Sequence, residues 1–335
     1  MFKTITFVFF LLAATFARSQ DPRFSQFFSS PLTLNPAFTG KFFGSYRVAG
    51  NYRNQWPTLN NAFTTATASV DFQIMREKLP NNDTWGVGFL GLNDNSANGA
   101  VKFNYGSFST AYHKGLDENG NHQLGIGFQL TYANMLINTA NLRFEDQLTS
   151  AGFTGISSEI FSGATLKANY LDINAGILYN GSTNERNNFY AGISLYHINR
   201  PKQQFTGATY NLSPRATFHG GGYFPLGTST TLHLSALQMF QAGVSETTIG
   251  TAIQLNTDPD NWLNSTSLYA GTWYRFKDAL IPYVGLEFGD LRLSATYDFT
   301  LSNLRTATLN RGGIEISLIY IRRPNTDRPV NCPKF

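Results

Sequence analysis

Apolar and polar residues alternate along most of this chain with a period of two, in runs of strand length. In His122–Leu136 one face reads Leu124, Ile126, Phe128, Leu130 and Tyr132, and the other Gln123, Gly125, Gly127, Gln129 and Thr131. Leu171–Tyr179 and Asp290–Phe299 repeat the pattern, with Leu171, Ile173, Ala175 and Ile177 on one face of the first and Leu291, Leu293, Ala295 and Tyr297 on one face of the second. A tilted strand needs ~9–11 residues to cross the hydrocarbon core of a membrane, which is the length of these runs. The pattern predicts strands at 44–54, 62–76, 84–92, 100–114, 122–136, 166–179, 187–197, 215–224, 229–240, 246–256, 264–276, 280–288, 290–299 and 311–322. That is fourteen, an even number, as a single-chain bacterial barrel requires.

A soluble β-sandwich alternates too, so other features must separate the two. The apolar face is continuous through many strands, the polar face is small and weakly charged, and aromatics crowd the strand ends. Tyr52, Trp56, Trp85, Tyr105, Tyr112, Tyr179, Tyr196, Trp262, Tyr269, Trp273 and Tyr320 are expected to supply interfacial girdles. The fold class predicted is all-β: a transmembrane antiparallel β-barrel with Leu124, Ile126, Phe128, Leu291, Leu293 and Ile316 facing lipid. An inward position such as Gln129 is expected to accept an arginine.

Loop lengths add a topology. If both chain ends are periplasmic, the connections after odd-numbered strands face outside, and these include the three longest, 137–165, 198–214 and 300–310. Shorter connections such as Glu77–Asp83, Gly115–Asn121 and Pro225–Thr228 follow even-numbered strands. Long loops outside and short turns inside is the rule for such barrels.

Composition agrees. Charged residues are 14%, against ~25% in soluble domains. Aromatics are 15%, yet the mean hydropathy is only −0.20, and no later stretch approaches the ~18 apolar residues of a membrane-spanning helix. At the N-terminus, Lys3, the apolar run Ile5–Ala14 and the small residues of Ala17-Arg18-Ser19 read as a signal peptide, residues 1–19, cut before Gln20. The expected organisation continues with a leader at 20–43, the barrel at 44–322 and a periplasmic tail at 323–335, where Pro324, Pro329 and Pro333 cannot sustain a ladder. Lys and Arg number 25 against 21 Asp and Glu, with no dense basic run, so nucleic-acid binding has no support.

Chemistry is sparse. The five His show no zinc spacing, Cys332 is the only cysteine, and there is no Gly-x-Ser-x-Gly elbow or phosphate loop. The reading is therefore a protein that is not an enzyme, with no cofactor and no metal. His233 and Ser235 share a face, as in some outer-membrane lipid deacylases, but Leu232, Leu234 and Ala236 claim the lipid side, which turns the pair inward. Lys102, Asp172, Arg275, Glu287, Arg292, Asp298 and Glu315 are read as lumen-facing. Their mixed signs suit solvation of the interior or retention of a plug better than the one-sign ring of a selective channel.

The leader carries the clearest candidate residues. Pro22, Pro31 and Pro36 oppose regular structure, while Phe24, Phe27, Phe28 and Phe38 need burial. Because ~8 strands already give a barrel filled by its own side chains, about 14 leave room inside. The expectation is a leader packed in or against the lumen, with Phe24, Phe27, Phe28, Asn35, Pro36 and Phe38 as the plug or partner segment. Full burial of a Phe is worth ~1.5–3 kcal/mol, while ordering costs ~1–2 kcal/mol per residue. Hydrogen bonds from Asn35 and the lumen charges must therefore supply the rest.

Gln20-Asp21-Pro22-Arg23-Phe24-Ser25-Gln26-Phe27, Asn35-Pro36-Ala37-Phe38-Thr39-Gly40, Tyr52-Arg53-Asn54-Gln55-Trp56 and the closing Asn331-Cys332-Pro333-Lys334-Phe335 together resemble the PorP/SprF family of type IX secretion and gliding-motility proteins of Bacteroidetes-like bacteria. The match covers essentially the whole chain after the signal. The resemblance implies a bacterial outer-membrane protein that binds or anchors secreted cargo bearing C-terminal sorting domains at the cell surface and contacts periplasmic components of the machinery. Arg53, Trp56 and Cys332 are the candidate interface motif, and outer-membrane lipid, type IX components and cargo are the implied partners. The alternatives are a passive channel or FadL-like transporter for small or hydrophobic compounds and, remotely, an outer-membrane lipid hydrolase.

Overall fold

The computed structural model describes residues 21–59, 62–80, 82–154, 157–161, 163–184, 187–205, 208–258 and 266–323. The expected signal peptide at 1–19, Trp262 and Cys332 lie outside them. Fourteen strands form one closed barrel: β1 (Tyr46–Gln55), β2 (Phe63–Ile74), β3 (Thr84–Ser96), β4 (Val101–Gly115), β5 (His122–Asn138), β6 (Thr165–Asn184), β7 (Asn187–Tyr196), β8 (Arg215–Pro225), β9 (Thr230–Gln241), β10 (Val244–Asn256), β11 (Thr266–Arg275), β12 (Ala279–Phe288), β13 (Leu291–Thr300) and β14 (Arg311–Ile321). Each pairs antiparallel with its sequence neighbours, and β1 closes the ring on β14 with Arg47 opposite Ile321 and Gln55 opposite Gly313. Closure leaves no edge strand, so the ladder itself satisfies the backbone in lipid.

The period-two pattern becomes a two-sided wall. Phe128 is 57% exposed on the outer surface while its neighbour Gln129 is 3% exposed inside. Leu124, Ile126, Leu291, Leu293 and Ile316 are likewise exposed outward, as the alternation requires. Placing an arginine at Phe128 puts a charge in hydrocarbon, so Phe128→Arg is expected to destabilise the barrel by ~2–4 kcal/mol in denaturant unfolding from lipid. At Gln129 the Nε2 donates to the Leu32 carbonyl of the leader at 3.2 Å, a contact that an arginine there would have to displace.

The girdle expectation holds for part of its residues. Tyr52 and Tyr112 are exposed on the outer face, and Tyr320 packs there against Tyr46. Tyr196, Tyr269 and Trp273 are instead buried in the lumen, and Tyr105 lines it beside Asp21. The cause is an apolar core inside the barrel, in which Phe27, Leu34 and Phe38 of the leader meet wall residues such as Leu237, Ile281 and Tyr283. Apolar side chains therefore occur on both faces, and alternation alone cannot assign them. Lys102 is a related correction: at the start of β4 the inward phase is Phe103 and Tyr105, Phe103 stacks on Tyr170 inside, and Lys102 points out.

The connections 139–164, 197–214 and 301–310 lie at one end of the barrel, called here the long-loop end. The chain passes through the lumen from that end to the other. Asp21 contacts His197, Arg215 and Gln241 at the long-loop end. Gly44, by contrast, meets Ile321 and Arg322 at the opposite end, where β1 begins. Asp21 and Arg323, the first and last described residues, thus lie at opposite ends of the barrel, and the chain ends themselves lie outside the described residues.

Candidate functional site

The lumen and the leader within it form the candidate site. Residues 21–45 make three short helical turns, Phe27–Ser29, Pro31–Leu34 and Pro36–Phe38, with Pro opening the last two where its missing N–H costs nothing. Phe24, Phe27 and Phe38 are buried, Asn35 and Pro36 are buried, and Phe28 is partly buried against Trp273 and Tyr283. Asn35 caps the third turn, its side-chain oxygen accepting from the Ala37 amide at 2.8 Å. Its Nδ2 donates to the carbonyls of Ile177 at 3.0 Å and Ile193 at 3.3 Å.

Three anchors hold this segment. Near the long-loop end, Arg53 and Arg275 both reach Asp298, at 2.9 and 3.1 Å. Glu315 accepts from the backbone amides of Ser25 at 2.7 Å and Gln26 at 3.0 Å, and Arg53 also grips the Arg23 carbonyl at 2.5 Å. Towards the opposite end, Arg47 makes two bonds to Asp71, at 3.0 and 2.9 Å, and a third to the Phe38 carbonyl at 3.0 Å. Asp71 accepts the Gly40 amide as well, at 2.8 Å. The third anchor is at the mouth of the long-loop end, where Asp21 sits 2.7 Å from His197 and 3.0 Å from Arg215.

The wall carries glycine where the leader backbone touches it. A Cβ at Gly127 would lie 2.4 Å from Ala37 N, and one at Gly86 2.4 Å from the Thr39 carbonyl. Neither neighbour is a side chain that could swing away. Gly127→Ala, which alters no leader residue, is expected to displace residues 35–39 and to expose the leader to added protease, while the barrel remains folded.

The mouth anchor holds two groups whose surroundings shift their protonation. Burial disfavours charge on His197, but Asp21 and Asp172 outweigh it and raise its pKa to about 9. Burial also disfavours charge on Asp21, yet Arg215 and His197 hold it below the ordinary carboxylate range. Tyr105, Tyr170 and Tyr196 complete the surroundings. A raised histidine contributes fully below its unfolded pKa of 6.5 and loses the contribution as pH rises through about 9. A lowered Asp contributes above 3.8 and loses it as pH falls. Heat stability is therefore expected to decline between pH 6.5 and about 9 and to level off above it, and Asp21→Ala to remove most of that decline.

Of the interface motif, Arg53 is buried in the lumen on Asp298 and Glu315, while Trp56 packs against Phe63 beyond the end of β1. Cys332, the third member of that motif, lies outside the described residues. Asp172, Arg275, Glu287, Arg292, Asp298 and Glu315 do face the lumen. His233 and Ser235 also point inward, where His233 Nε2 pairs with Gln254 at 2.9 Å and Ser235 accepts the Trp273 indole N–H at 2.9 Å. Arg47, Asp71, His197 and Arg215 were not singled out from sequence. The same alternation that revealed Arg292 would have placed Arg47 and Asp71 inside.

The family model described as type IX secretion system membrane protein PorP/SprF matches residues 16–320. Among solved structures the chain is similar to the Pseudomonas putida toluene transporter TodX, at 9% identity and a TM-score of 0.50, covering 87% of this chain and 92% of that one. It is also similar to the Ralstonia pickettii toluene transporter TbuX, at 11% identity and a TM-score of 0.48, covering 88% and 93%. A Pseudomonas aeruginosa FadL homologue gives 11% identity and a TM-score of 0.43, covering 85% and 92%. At these identities the likeness speaks to the fold alone. No curated protein matches the sequence.

Proposed function

Since the chain belongs to the PorP/SprF family of type IX secretion system membrane proteins, we propose that it is a non-enzymatic outer-membrane platform of that machinery. In this reading it binds or anchors secreted cargo with C-terminal sorting domains at the cell surface and contacts periplasmic components from the other end. The long-loop end faces outside. The observation that carries the platform reading is the leader: a segment tied along its length by Asp298, Glu315, Asp71 and Asn35 leaves little open path for solute. A protein whose lumen is filled acts through its loops and rims.

The test is a pull-down of a tagged copy from native outer membranes, with partners identified by mass spectrometry. Type IX components and sorting-domain proteins should be enriched over an unrelated barrel. Enrichment of neither would contradict the platform reading.

One observation favours the transporter alternative. A cavity of about 30 Å³ inside the barrel is bounded by Phe28, Tyr223, Tyr269, Trp273 and Tyr283 together with His233 and Arg292, an aromatic surround that would have to widen to take a small apolar guest. Uptake of a monoaromatic compound by vesicles containing the protein, above that of empty vesicles, would select this alternative.

A further inference from the structure

The mouth anchor has the construction of a receptor site. Its walls are barrel residues: His197 directly after β7, Arg215 at the start of β8 and Gln241 at the end of β9. The Asp21 carboxylate takes Nε2 of His197 at 2.7 Å, Nη1 of Arg215 at 3.0 Å and Nε2 of Gln241 at 3.1 Å, while the Asp21 amide donates to Gln241 at 3.1 Å. Each cation is held from behind. Asp172 lies 3.0 Å from Nδ1 of His197, and the Arg215 guanidinium lies over the Tyr196 ring at 4.2 Å. With its occupant removed, this frame would present a histidine, a guanidinium and an amide, all aimed at one carboxylate position.

Two features show that the site is more than a peg for Asp21. A small cavity adjoins it, lined by Phe103, Tyr105 and Tyr170 as well as the charged residues. Among the described residues, Arg215 Nε and Asp172 Oδ1, which belong to side chains lining that cavity, are buried without a hydrogen-bond partner. An unmet buried donor and acceptor are costly to leave empty. They offer an extended peptide one place to accept and one to donate.

We propose that His197, Arg215 and Gln241 form a carboxylate-binding site at the long-loop mouth of the lumen, filled in cis by Asp21 and open to an acidic peptide segment when the leader withdraws. The occupant is a peptide because the group that fills the site in cis is itself a chain segment, and the unmet Arg215 Nε and Asp172 Oδ1 beside the carboxylate position match a backbone carbonyl and a backbone amide. The proposal does not rest on the secretion reading, since it concerns only what the mouth binds.

The test uses the purified full chain in detergent, with heat-modifiable migration confirming the folded barrel, and isothermal calorimetry with three short peptides of otherwise equal sequence. One ends in a free carboxylate and has no acidic side chain, one is amidated and carries a single Asp, and one is amidated and has no Asp. Acetate serves as a fourth probe. A tethered carboxylate competes at a high effective concentration, so Asp21→Ala should bind at least one carboxylate peptide about ten-fold or more tighter than wild type. Which of the two binds identifies a terminal or a side-chain carboxylate. The gain should vanish in Asp21→Ala/Arg215→Gln and be absent for the peptide without a carboxylate. In the wild-type chain the same peptide should make Arg23 susceptible to trypsin, a readout that needs no variant. No gain in Asp21→Ala, a gain that survives Arg215→Gln, or unchanged protection of Arg23 overturns the site. Acetate binding with no further tightening by peptide overturns its assignment to a peptide.

Discussion

Deleting Gln20–Thr39 is expected to raise the ion conductance of the barrel sharply, leaving an open pore that inserts normally into membranes. The ladder that closes the barrel, β1 against β14, begins at Tyr46 and uses no leader residue. What the deletion removes is the filling: Phe24, Phe27 and Phe38 with the polar backbone they bring. Side chains fill a barrel of about eight strands but not this one, so water enters where the leader was. The exposed walls would be polar and of mixed sign, with Asp71, Glu315 and Asp298 beside Arg47, Arg53 and Arg275. Weak ion selectivity should follow. Single-channel recording in planar bilayers checks this, and conductance equal to that of the full chain would mean that the leader does not seal the lumen.

Breaking the pair of Arg47 and Asp71 should have the largest effect on stability of any single substitution considered. Both side chains are fully enclosed, at 0% and 1% exposure, and Asp71 also receives the Gly40 amide. Asp71→Ala leaves a guanidinium in a closed interior with one remaining hydrogen-bond partner, the Phe38 carbonyl, and the Phe42 ring 4.9 Å away. Stranding a buried charge in this way costs ~3–5 kcal/mol. Replacing both partners with apolar residues, Arg47→Met with Asp71→Leu, should recover most of that loss, because the pair's own desolvation disappears with it. Denaturant unfolding of the single and double variants in lipid measures the two values. Equal losses would show that the leader contacts of this pair, and not the stranded charge, carry the energy.

Alternation alone made the wall legible. Each strand from β1 to β14 shows it in at least part of its length, and the outward phase of Leu124, Ile126 and Phe128 follows from residue type. The need of the leader for polar partners was also readable: its own Asn35 donates to the wall, and the lumen carboxylates Asp298 and Glu315 bind Ser25. Two things were hidden. Tyr105, Tyr196, Tyr269 and Trp273 look like girdle residues because an aromatic at a strand end suits either an interface or a packed lumen. Only the position of the leader decides between them. The direction of threading was hidden as well, since it depends on Asp21 finding His197, which is 176 residues away. No local pattern encodes a contact of that span.

The account stands most directly on the leader lying inside the barrel in the register described. Gln26 reaches Ser317 of β14 at 2.9 Å, well above the point where the leader joins β1. Gln26→Cys and Ser317→Cys, combined with Cys332→Ser, should therefore be joined by a short bifunctional thiol reagent in intact outer membranes, giving one cross-linked species that retains the folded barrel's migration. Both cysteines reacting singly with a water-soluble thiol reagent, with no cross-link between them, would place the leader outside the lumen and contradict the account.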